Sequence, residues 1–194
     1  MNKLIETIDL TKVYGEKETS VTALNSITTA FNENQFTAIM GPSGSGKSTL
    51  LHCLAGLDKV TSGSILINGI DLASLNDKEL TKMRRDSFGF VFQAFNLIPT
   101  LTAEENITLP SSIAGRKPED EWVEQVINAM DIGDRLGHRP NELSGGQQQR
   151  VAAARAMASK PEVIFADEPS GNLDSKSSKE LLVFMKSIVE DLNQ

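Results

Sequence analysis

The chain has 194 residues, of which 39% are hydrophobic and 23% charged, so it is long enough to bury the core of one compact domain. Its net charge of -7 argues against a nucleic-acid partner, because proteins that bind nucleic acids usually present a basic surface to the phosphates. The single cysteine, Cys53, fits a reducing compartment. The sequence has no signal-peptide pattern and no apolar run of the ~20 residues that span a bilayer, so we expect a soluble, cytoplasmic protein.

The first third of the chain has the pattern of β-strands. Residues 4–10 alternate apolar and polar side chains, and residues 21–31 are rich in threonine, valine and isoleucine. The apolar run 36–40 predicts a buried strand. Residues 64–68 predict another strand, which the turn signal Asn68-Gly69 would reverse into a hairpin. We therefore expect a small antiparallel sheet in addition to a core sheet.

Residues 41–48, Gly-Pro-Ser-Gly-Ser-Gly-Lys-Ser, form a G-x-x-x-x-G-K-[ST] pattern between the predicted strand 36–40 and a predicted helix over 49–57. Glycines let a backbone wrap closely around an anion, and the N–H groups of the loop and of the helix end then point toward it. Lys47 supplies a cation for the β- and γ-phosphates, and the Ser48 hydroxyl supplies a hard oxygen ligand for Mg²⁺. A flexible Gly/Ser turn is the alternative, but the flanking strand and helix favour a nucleoside triphosphate site.

The middle of the chain changes from strand to helix. Residues 88–92 predict an apolar strand that ends abruptly at Gln93. The stretch that follows is mostly helical in pattern, and Thr102 with Glu105 forms a capping-box pair that is typical of a helix start.

A second capping-box pair, Ser144 and Gln147, begins an alanine-rich helix. Gly145 and Gly146, which lie between them, are poor helix formers that each cost roughly 1 kcal/mol relative to alanine. They are either a weakly built helix start or a bare backbone that an anion approaches at the positive end of the helix. The pattern favours the anion.

Four apolar residues, 163–166, precede two adjacent carboxylates, Asp167 and Glu168. A continuously apolar strand is typical of the doubly covered centre of a sheet, and Asp167 would stand at its carboxyl end, where open α/β sheets bind ligands. A solvated acidic turn is the alternative. With a phosphate-loop pattern in the same chain, a carboxylate near Mg²⁺ is favoured. A polar turn and a helix over 175–193 complete the chain.

These motifs together resemble those of the ATP-binding cassette (ABC) ATPases, and the resemblance runs from about Leu4 to the C-terminus. The LSGGQ signature is the most diagnostic of them. The stretches 83–93 and 95–106 are similar to the branch that serves lipoprotein release, macrolide and peptide export, and cell division. In chain order the motifs are the adenine-stacking loop 12–15, Walker A 41–48, the Q-loop 90–93, the signature 143–147, Walker B 163–168 and the D-loop 172–174.

The resemblance implies an α/β fold of the P-loop NTPase class, with a parallel core sheet, helices, a small antiparallel β-subdomain and an inserted α-helical subdomain. It divides the chain into a nucleotide-binding core with the antiparallel subdomain, 1–93, a helical signature subdomain, 94–160, and a return to the core, 161–194.

The family continues through one more strand and a switch-histidine loop, and both are absent from the sequence given, which ends at Gln194. Its two histidines, His52 and His138, stand in other motifs. The sequence is either a stretch of a longer protein or an ATPase-deficient variant, and in both cases we expect MgATP binding with weak hydrolysis.

The resemblance also implies a role for each residue of the nucleotide site. Tyr14 stacks on adenine, while the loop amides and Lys47 hold the phosphates. Ser48 and Gln93 coordinate Mg²⁺, and Asp167 reaches it through water. The residues implied to contact ATP within one subunit are Tyr14, Gly41, Pro42, Ser43, Gly44, Ser45, Gly46, Lys47, Ser48 and Thr49. The implied catalytic residues are Lys47, Gln93 and Glu168, the last as the general base that polarises the attacking water.

The resemblance further implies a homodimer in which two ATP molecules are sandwiched between head-to-tail subunits. Ser144, Gly145 and Gly146, together with Gln147, would contact the ATP of the opposite subunit, and Asp174 would communicate across the interface. The segment after Gln93 would dock an integral membrane permease subunit, which would hold this chain at the cytoplasmic face of the cell membrane.

Three functions fit these motifs. The first is the ATPase subunit of a transporter that powers export or membrane extraction. The second is a nucleotide-gated regulator of a membrane or cell-wall complex that moves no substrate. The third, an ABC-fold ATPase acting on DNA or ribosomes, is disfavoured by the acidic balance, by the single cassette and by the lack of a long coiled-coil insertion.

Overall fold

The computed structural model describes residues 2–169, 171, 179, 182–183 and 185–187. The described chain falls into two compact units that divide between Arg84 and Arg85. Within these ranges no helix has the length and apolar character needed to cross a bilayer. The three-part division at 93 and 160 stays a prediction.

The first unit is built on an antiparallel sheet of four strands in the order β2-β1-β3-β4. Strand β1 lies between β2 and β3 and buries Ile5 and Thr7, and then, after an irregularity in its pairing between Thr7 and Leu10, Leu10 and Lys12. The predicted strands over 4–10, 21–31 and 64–68 are confirmed. The strands are β1 at Lys3–Tyr14, β2 at Val21–Asn32, β3 at Ser62–Ile67 and β4 at Ile70–Asp71.

The hairpin between β3 and β4 is the predicted Asn68-Gly69 turn. These two residues have φ angles of 49° and 76°. A pair of left-handed residues matches the twist of two strands joined by a two-residue loop, and Ile67 accordingly pairs with Ile70 across the turn.

The prediction of a buried strand over 36–40 is wrong. Residues 35–42 carry no strand, all five side chains of the run are exposed, and Met40 is 88% exposed. An apolar run becomes a strand only where a neighbouring strand satisfies its backbone hydrogen bonds, and this run joins neither sheet of the described chain. Irregular chain therefore leads into the loop at 41–48.

The second unit packs helices against a parallel pair of strands. Strand β5, Phe88–Phe92, pairs in parallel with β6, Val163–Asp167, and the ring of Phe88 meets that of Phe165 edge-on at 5.3 Å. The Trp122 indole N–H donates to the carbonyl of Met157 over 2.9 Å and so joins two helices. The α-helices whose bounds the described residues define are α1 at Lys47–Leu54, α2 at Asp77–Ser87, α3 at Ala103–Ile113, α4 at Asp120–Ala129 and α5 at Gly145–Met157.

Strand β6 is less covered than its apolar sequence predicted. Only Phe165 is buried, and the other four residues of the strand are half-buried. Among the described residues β6 has one neighbour, β5, so the prediction of a doubly covered central strand is not met. The parallel pairing that the apolar run also predicted is present.

Candidate functional site

The phosphate-loop pattern lies in the first unit as an exposed turn that leads directly into α1. Residues 41–45 are exposed, and the Ser45 N–H donates to the Pro42 carbonyl over 3.3 Å. Helix α1 buries Cys53 and Leu54, so the core of the unit anchors the helix while the loop stays open to a ligand.

Two glycines give the loop its shape for different reasons. Gly46, the N-cap of α1, has a φ of 88°, and a Cβ there would lie 2.5 Å from the carbonyl oxygen of Ala23. The fold therefore excludes any side chain at Gly46. Gly44 has a φ of 76°, but a Cβ there would meet nothing within 4 Å. The space beside Gly44 is open, as a loop that wraps an anion requires.

Lys47 places its charge at the loop. Its ammonium donates to the carbonyl of Pro42 over 2.8 Å, across the turn that precedes the helix. Ser48 and Thr49 follow in the first turn of α1 and are half-buried. A cation, a hydroxyl and a helix N-terminus thus face the same short loop, which is the donor set that suits a triphosphate with its metal ion.

Tyr14, at the end of β1, lies beside the helix that follows the loop. Its hydroxyl donates to the carboxylate of Asp58 over 2.5 Å, and the side chain of Thr49 in α1 lies near its phenolic oxygen. The ring remains 42% exposed. The structure therefore brings two of the predicted site residues, Tyr14 and Thr49, into one cluster.

Sequence reasoning missed Asp58. Its carboxylate accepts hydrogen bonds from Lys12, over 2.6 Å, and from Tyr14, and these two bonds, in that order of effect, lower the Asp58 pKa below its ordinary value. The bond to Asp58 raises the pKa of Tyr14, with burial adding to the rise. Contacts between residues so far apart in the chain leave no motif, and only paired changes among relatives could indicate them.

Gln93, Asp167 and Glu168 lie together in the second unit. Phe92 and Asp167 are partners in the parallel ladder, so Gln93 and Glu168 follow their strands at the same sheet edge. Gly171 packs closely on this group, because a Cβ there would lie 2.7 Å from the Gln93 side-chain nitrogen. Glu168 is exposed, has a φ of 45°, and accepts the Gly171 N–H at its carbonyl over 2.9 Å.

This edge fits a Mg²⁺ ion. An amide oxygen and carboxylate oxygens at the ends of adjacent strands are hard ligands of the kind that Mg²⁺ prefers. Within the described ranges, three or more histidine, cysteine, aspartate or glutamate side chains do not gather in one place.

The signature residues head helix α5, as predicted. Ser144 is the N-cap, its hydroxyl accepts the Gln147 N–H over 3.3 Å, and the Gln147 side chain accepts the Ser144 N–H over 2.9 Å. A Cβ at Gly145 or at Gly146 would meet nothing within 4 Å. No contact within the described chain therefore requires glycine at these two positions.

The segment after Gln93 is held in a fixed shape. Phe95 and Asn96 both have positive φ angles, of 55° and 49°, and their carbonyls accept hydrogen bonds of 2.7 and 2.6 Å from Arg155 of α5. The fully buried Asn106 donates to the carbonyl of Ile98 and accepts its N–H. The side chain of Ile98 nevertheless stays 41% exposed. Burial lowers the pKa of Arg155. The sequence analysis did not identify this residue.

The predicted residues thus fall in three places. The loop 41–48 and Tyr14 lie in the first unit, and the second unit holds the edge group around Asp167 and the head of α5 at Ser144. The predicted D-loop, 172–174, and with it Asp174, lies outside the described residues.

Comparison with known proteins shows the family. The model of the ABC transporter family matches residues 24–171, and the chain belongs to this family of ATP-binding domains. The lipoprotein-releasing system ATP-binding protein LolD of Geobacter metallireducens is 46% identical over 183 residues, which cover 93% of this chain and 81% of that protein. The macrolide export ATP-binding/permease protein MacB of Marinobacter nauticus is 49% identical over 181 residues, which cover 92% of this chain but only 28% of that protein.

Solved structures confirm the fold class. The dimeric structure of MJ0796, an ABC transporter cassette of Methanocaldococcus jannaschii, matches with a TM-score of 0.84 and 44% identity, over 97% of this chain and 84% of that one. A second dimeric structure of MJ0796, a post-hydrolysis state bound to ADP and Pi, matches with a TM-score of 0.84, 42% identity and the same coverage. The predicted combination of parallel and antiparallel sheets with helices is therefore that of an ABC cassette.

Proposed function

We propose that this chain is the ATP-binding and ATP-hydrolysing subunit of an ABC transporter and that it acts as a homodimer. Each ATP would lie between the loop 41–48 of one copy and the signature residues of the other. The observation that carries this proposal is the open space around Gly145 and Gly146 at the exposed head of α5. Two glycines weaken a helix start, and because the described chain does not itself require them, an external group supplies the reason for their presence.

The first unit supplies the groups that bind and orient the nucleotide. The amides of the loop and the Lys47 ammonium meet the phosphates, and the exposed Tyr14 ring offers a face on which adenine stacks. Ser48 provides a hydroxyl oxygen for the metal ion. The described positions of Lys47 and Tyr14, one at the loop and one beside the helix that follows it, support this assignment.

The second unit supplies the groups for hydrolysis. Gln93 contributes an amide oxygen to Mg²⁺, and Asp167 acts through a bound water. When bound, Mg²⁺ neutralises charge that develops on the phosphates. Glu168 accepts a proton from the attacking water, whose oxygen forms a bond to the γ-phosphorus while the bond to the ADP oxygen breaks. Asp174 communicates across the dimer interface.

The segment after Gln93 is the proposed docking site for an integral membrane permease subunit. Arg155 and Asn106 fix its backbone, and Ile98 presents an exposed apolar side chain on that fixed segment. A rigid loop with an exposed apolar residue suits a partner surface, because little conformational entropy is lost on docking. Docking there would hold the chain at the cytoplasmic face of the membrane.

The direct test uses the substitution Glu168→Gln, which removes the proposed base and leaves the binding groups in place. We expect it to lower the chain's own ATP hydrolysis, which the sequence predicts to be weak, by about 10²–10⁴-fold and to leave MgATP binding intact, since general bases contribute effects of that size. Sedimentation velocity should then show a dimer with MgATP and a monomer without it. Glu124→Gln, an exposed carboxylate on α4, is the matched control and should match the unsubstituted chain. A variant that stays monomeric in saturating MgATP contradicts the proposal.

A further inference from the structure

Three side chains at the end of β1 form one polar cluster: Lys12, Tyr14 and Asp58. One carboxylate oxygen of Asp58 accepts the Lys12 ammonium over 2.6 Å, and the other accepts the Tyr14 hydroxyl over 2.5 Å. Each oxygen therefore has its own donor. The Lys12 nitrogen also lies 4.6 Å from the centre of the Tyr14 ring, over its face.

Further hydrogen bonds hold Lys12 and the segment of Asp58 in place. Lys12 is 8% exposed and donates a second hydrogen bond, of 2.6 Å, to the carbonyl of Lys59. The segment that carries Asp58 runs alongside the end of β1, where the Val13 N–H donates to the Thr61 hydroxyl over 2.9 Å. A buried cation and a backbone-bound segment thus fix the carboxylate that receives Tyr14.

We propose that Asp58 is the positioning residue for the Tyr14 ring and holds it in the orientation that stacks on the nucleotide base. The inference rests on the proposed function, which makes Tyr14 the residue that meets adenine. Lys12 covers one face of the ring, so the base takes the opposite face. An aromatic side chain already fixed at its hydroxyl loses little freedom when a base stacks on it, and this preorganisation strengthens binding.

The location of the cluster separates this role from phosphate binding. Asp58, Lys12 and Tyr14 contact one another at the end of β1, whereas the Lys47 ammonium lies over the loop at Pro42. Loss of the Asp58 carboxylate should therefore weaken recognition of the base and leave recognition of the phosphates unchanged. A residue that acted only through the stability of the fold would weaken both.

The experiment compares the binding of MgATP with that of Mg-tripolyphosphate, which has the phosphates and no base, by isothermal titration of the full chain. The variants are Asp58→Ala, the isosteric Asp58→Asn and Tyr14→Phe, which keeps the ring and removes the hydroxyl. Glu6→Gln is the matched control, because it breaks an ion pair with Lys3 on the same strand, away from Tyr14.

We expect Asp58→Ala to weaken MgATP binding about fivefold and to change Mg-tripolyphosphate binding less than twofold. Base stacking on an aromatic residue is worth roughly five- to a hundredfold in affinity, and a displaced ring loses part of it. Tyr14→Phe should give a similar loss, and the double variant should bind about as well as either single one, because both substitutions break one hydrogen bond. The MgATP affinity of Asp58→Asn should lie between that of Asp58→Ala and that of the unsubstituted chain.

If Asp58→Ala weakens the binding of MgATP and of Mg-tripolyphosphate equally, or if both Asp58 variants bind MgATP as the unsubstituted chain does, the inference is overturned and the proposed function stands. The inference is also overturned if the control Glu6→Gln loses as much MgATP affinity as Asp58→Ala. If the unsubstituted chain itself fails to bind MgATP, the proposed function fails and the inference fails with it.

Discussion

Phe92 and Asp167 are partners in the parallel ladder of β5 and β6, so the chain leaves both strands at one edge of the sheet. Gln93 directly follows β5 and Glu168 directly follows β6. This register therefore brings the two residues to the same edge, although they are far apart in the sequence. Gly171 then closes the turn after β6 against the Gln93 side chain. The geometry of the proposed hydrolytic group therefore depends on a small residue that carries no chemistry of its own.

Gly171→Ala should slow ATP hydrolysis by roughly tenfold, because a Cβ 2.7 Å from the Gln93 amide nitrogen displaces that side chain and small misplacements of reacting groups are costly. The free energy of unfolding should change little, since the displaced atom is the end of a flexible side chain. Gly137→Ala is the matched control, because a Cβ at Gly137 meets nothing within 4 Å. Phosphate release and urea unfolding measure the two effects. Equal hydrolysis rates in both variants would show that Gly171 does not support Gln93.

Replacing both Gly145 and Gly146 with alanine should abolish dimerisation without lowering the free energy of unfolding. Because neither Cβ meets anything in the described chain and alanine favours helices, the double variant should be as stable as the unsubstituted chain or more stable by up to ~1 kcal/mol per site. MgATP-dependent dimerisation in the Glu168→Gln background should nevertheless be lost, because the added methyl groups occupy the surface that the second ATP approaches. Gly133→Ala, whose Cβ makes only an ordinary 3.8 Å contact with Ile127, should dimerise normally. A double variant that dimerises as well as this control would contradict the role of the signature residues.

The depressed pKa of Asp58 predicts how stability depends on acid. Hydrogen bonds from Lys12 and Tyr14 lower this pKa, so the folded protein binds fewer protons at Asp58 than the unfolded chain does. The stabilisation is present above the ordinary aspartate pKa of about 3.9 and is lost as the pH falls through the folded value. The difference in free energy of unfolding between the unsubstituted chain and Asp58→Asn should therefore be constant from about pH 7 to about pH 5 and shrink below about pH 3.9. Urea unfolding across this range measures it, and a difference that does not shrink in acid would be inconsistent with the bonds to Asp58.

Tyr14 offers an optical check on the same cluster, since it is the only tyrosine in the chain. Its pKa is raised mainly by the hydrogen bond to Asp58, so the neutral phenol is favoured in the folded protein. Tyrosinate absorbance should therefore appear at a higher pH in the unsubstituted chain than in Asp58→Asn, and unfolding in urea should remove the difference. Identical titrations of the two folded proteins would mean that Asp58 does not hold the hydroxyl.

Features encoded by neighbouring residues could be predicted from the sequence. The Asn68-Gly69 turn and the two capping boxes, at Thr102 and at Ser144, are local devices, and all of them are present. The strand predicted over 36–40 is wrong because its apolar pattern is local whereas a strand needs a partner elsewhere. Asp58 was missed for the same reason, since only the fold brings it to Lys12 and Tyr14.

The most direct measurement asks whether two copies complete one nucleotide site. Lys47→Ala removes the phosphate-binding cation, and Gly145→Trp blocks the head of α5, each in the Glu168→Gln background. Neither variant should dimerise alone in MgATP, because every site in its homodimer carries a defect. An equimolar mixture should form a heterodimer, in which the loop of the Gly145→Trp copy and the signature residues of the Lys47→Ala copy make one intact site. Sedimentation velocity of the mixture should show this dimer. A mixture that sediments as two monomers, while the parent Glu168→Gln chain dimerises, would contradict a site shared between copies.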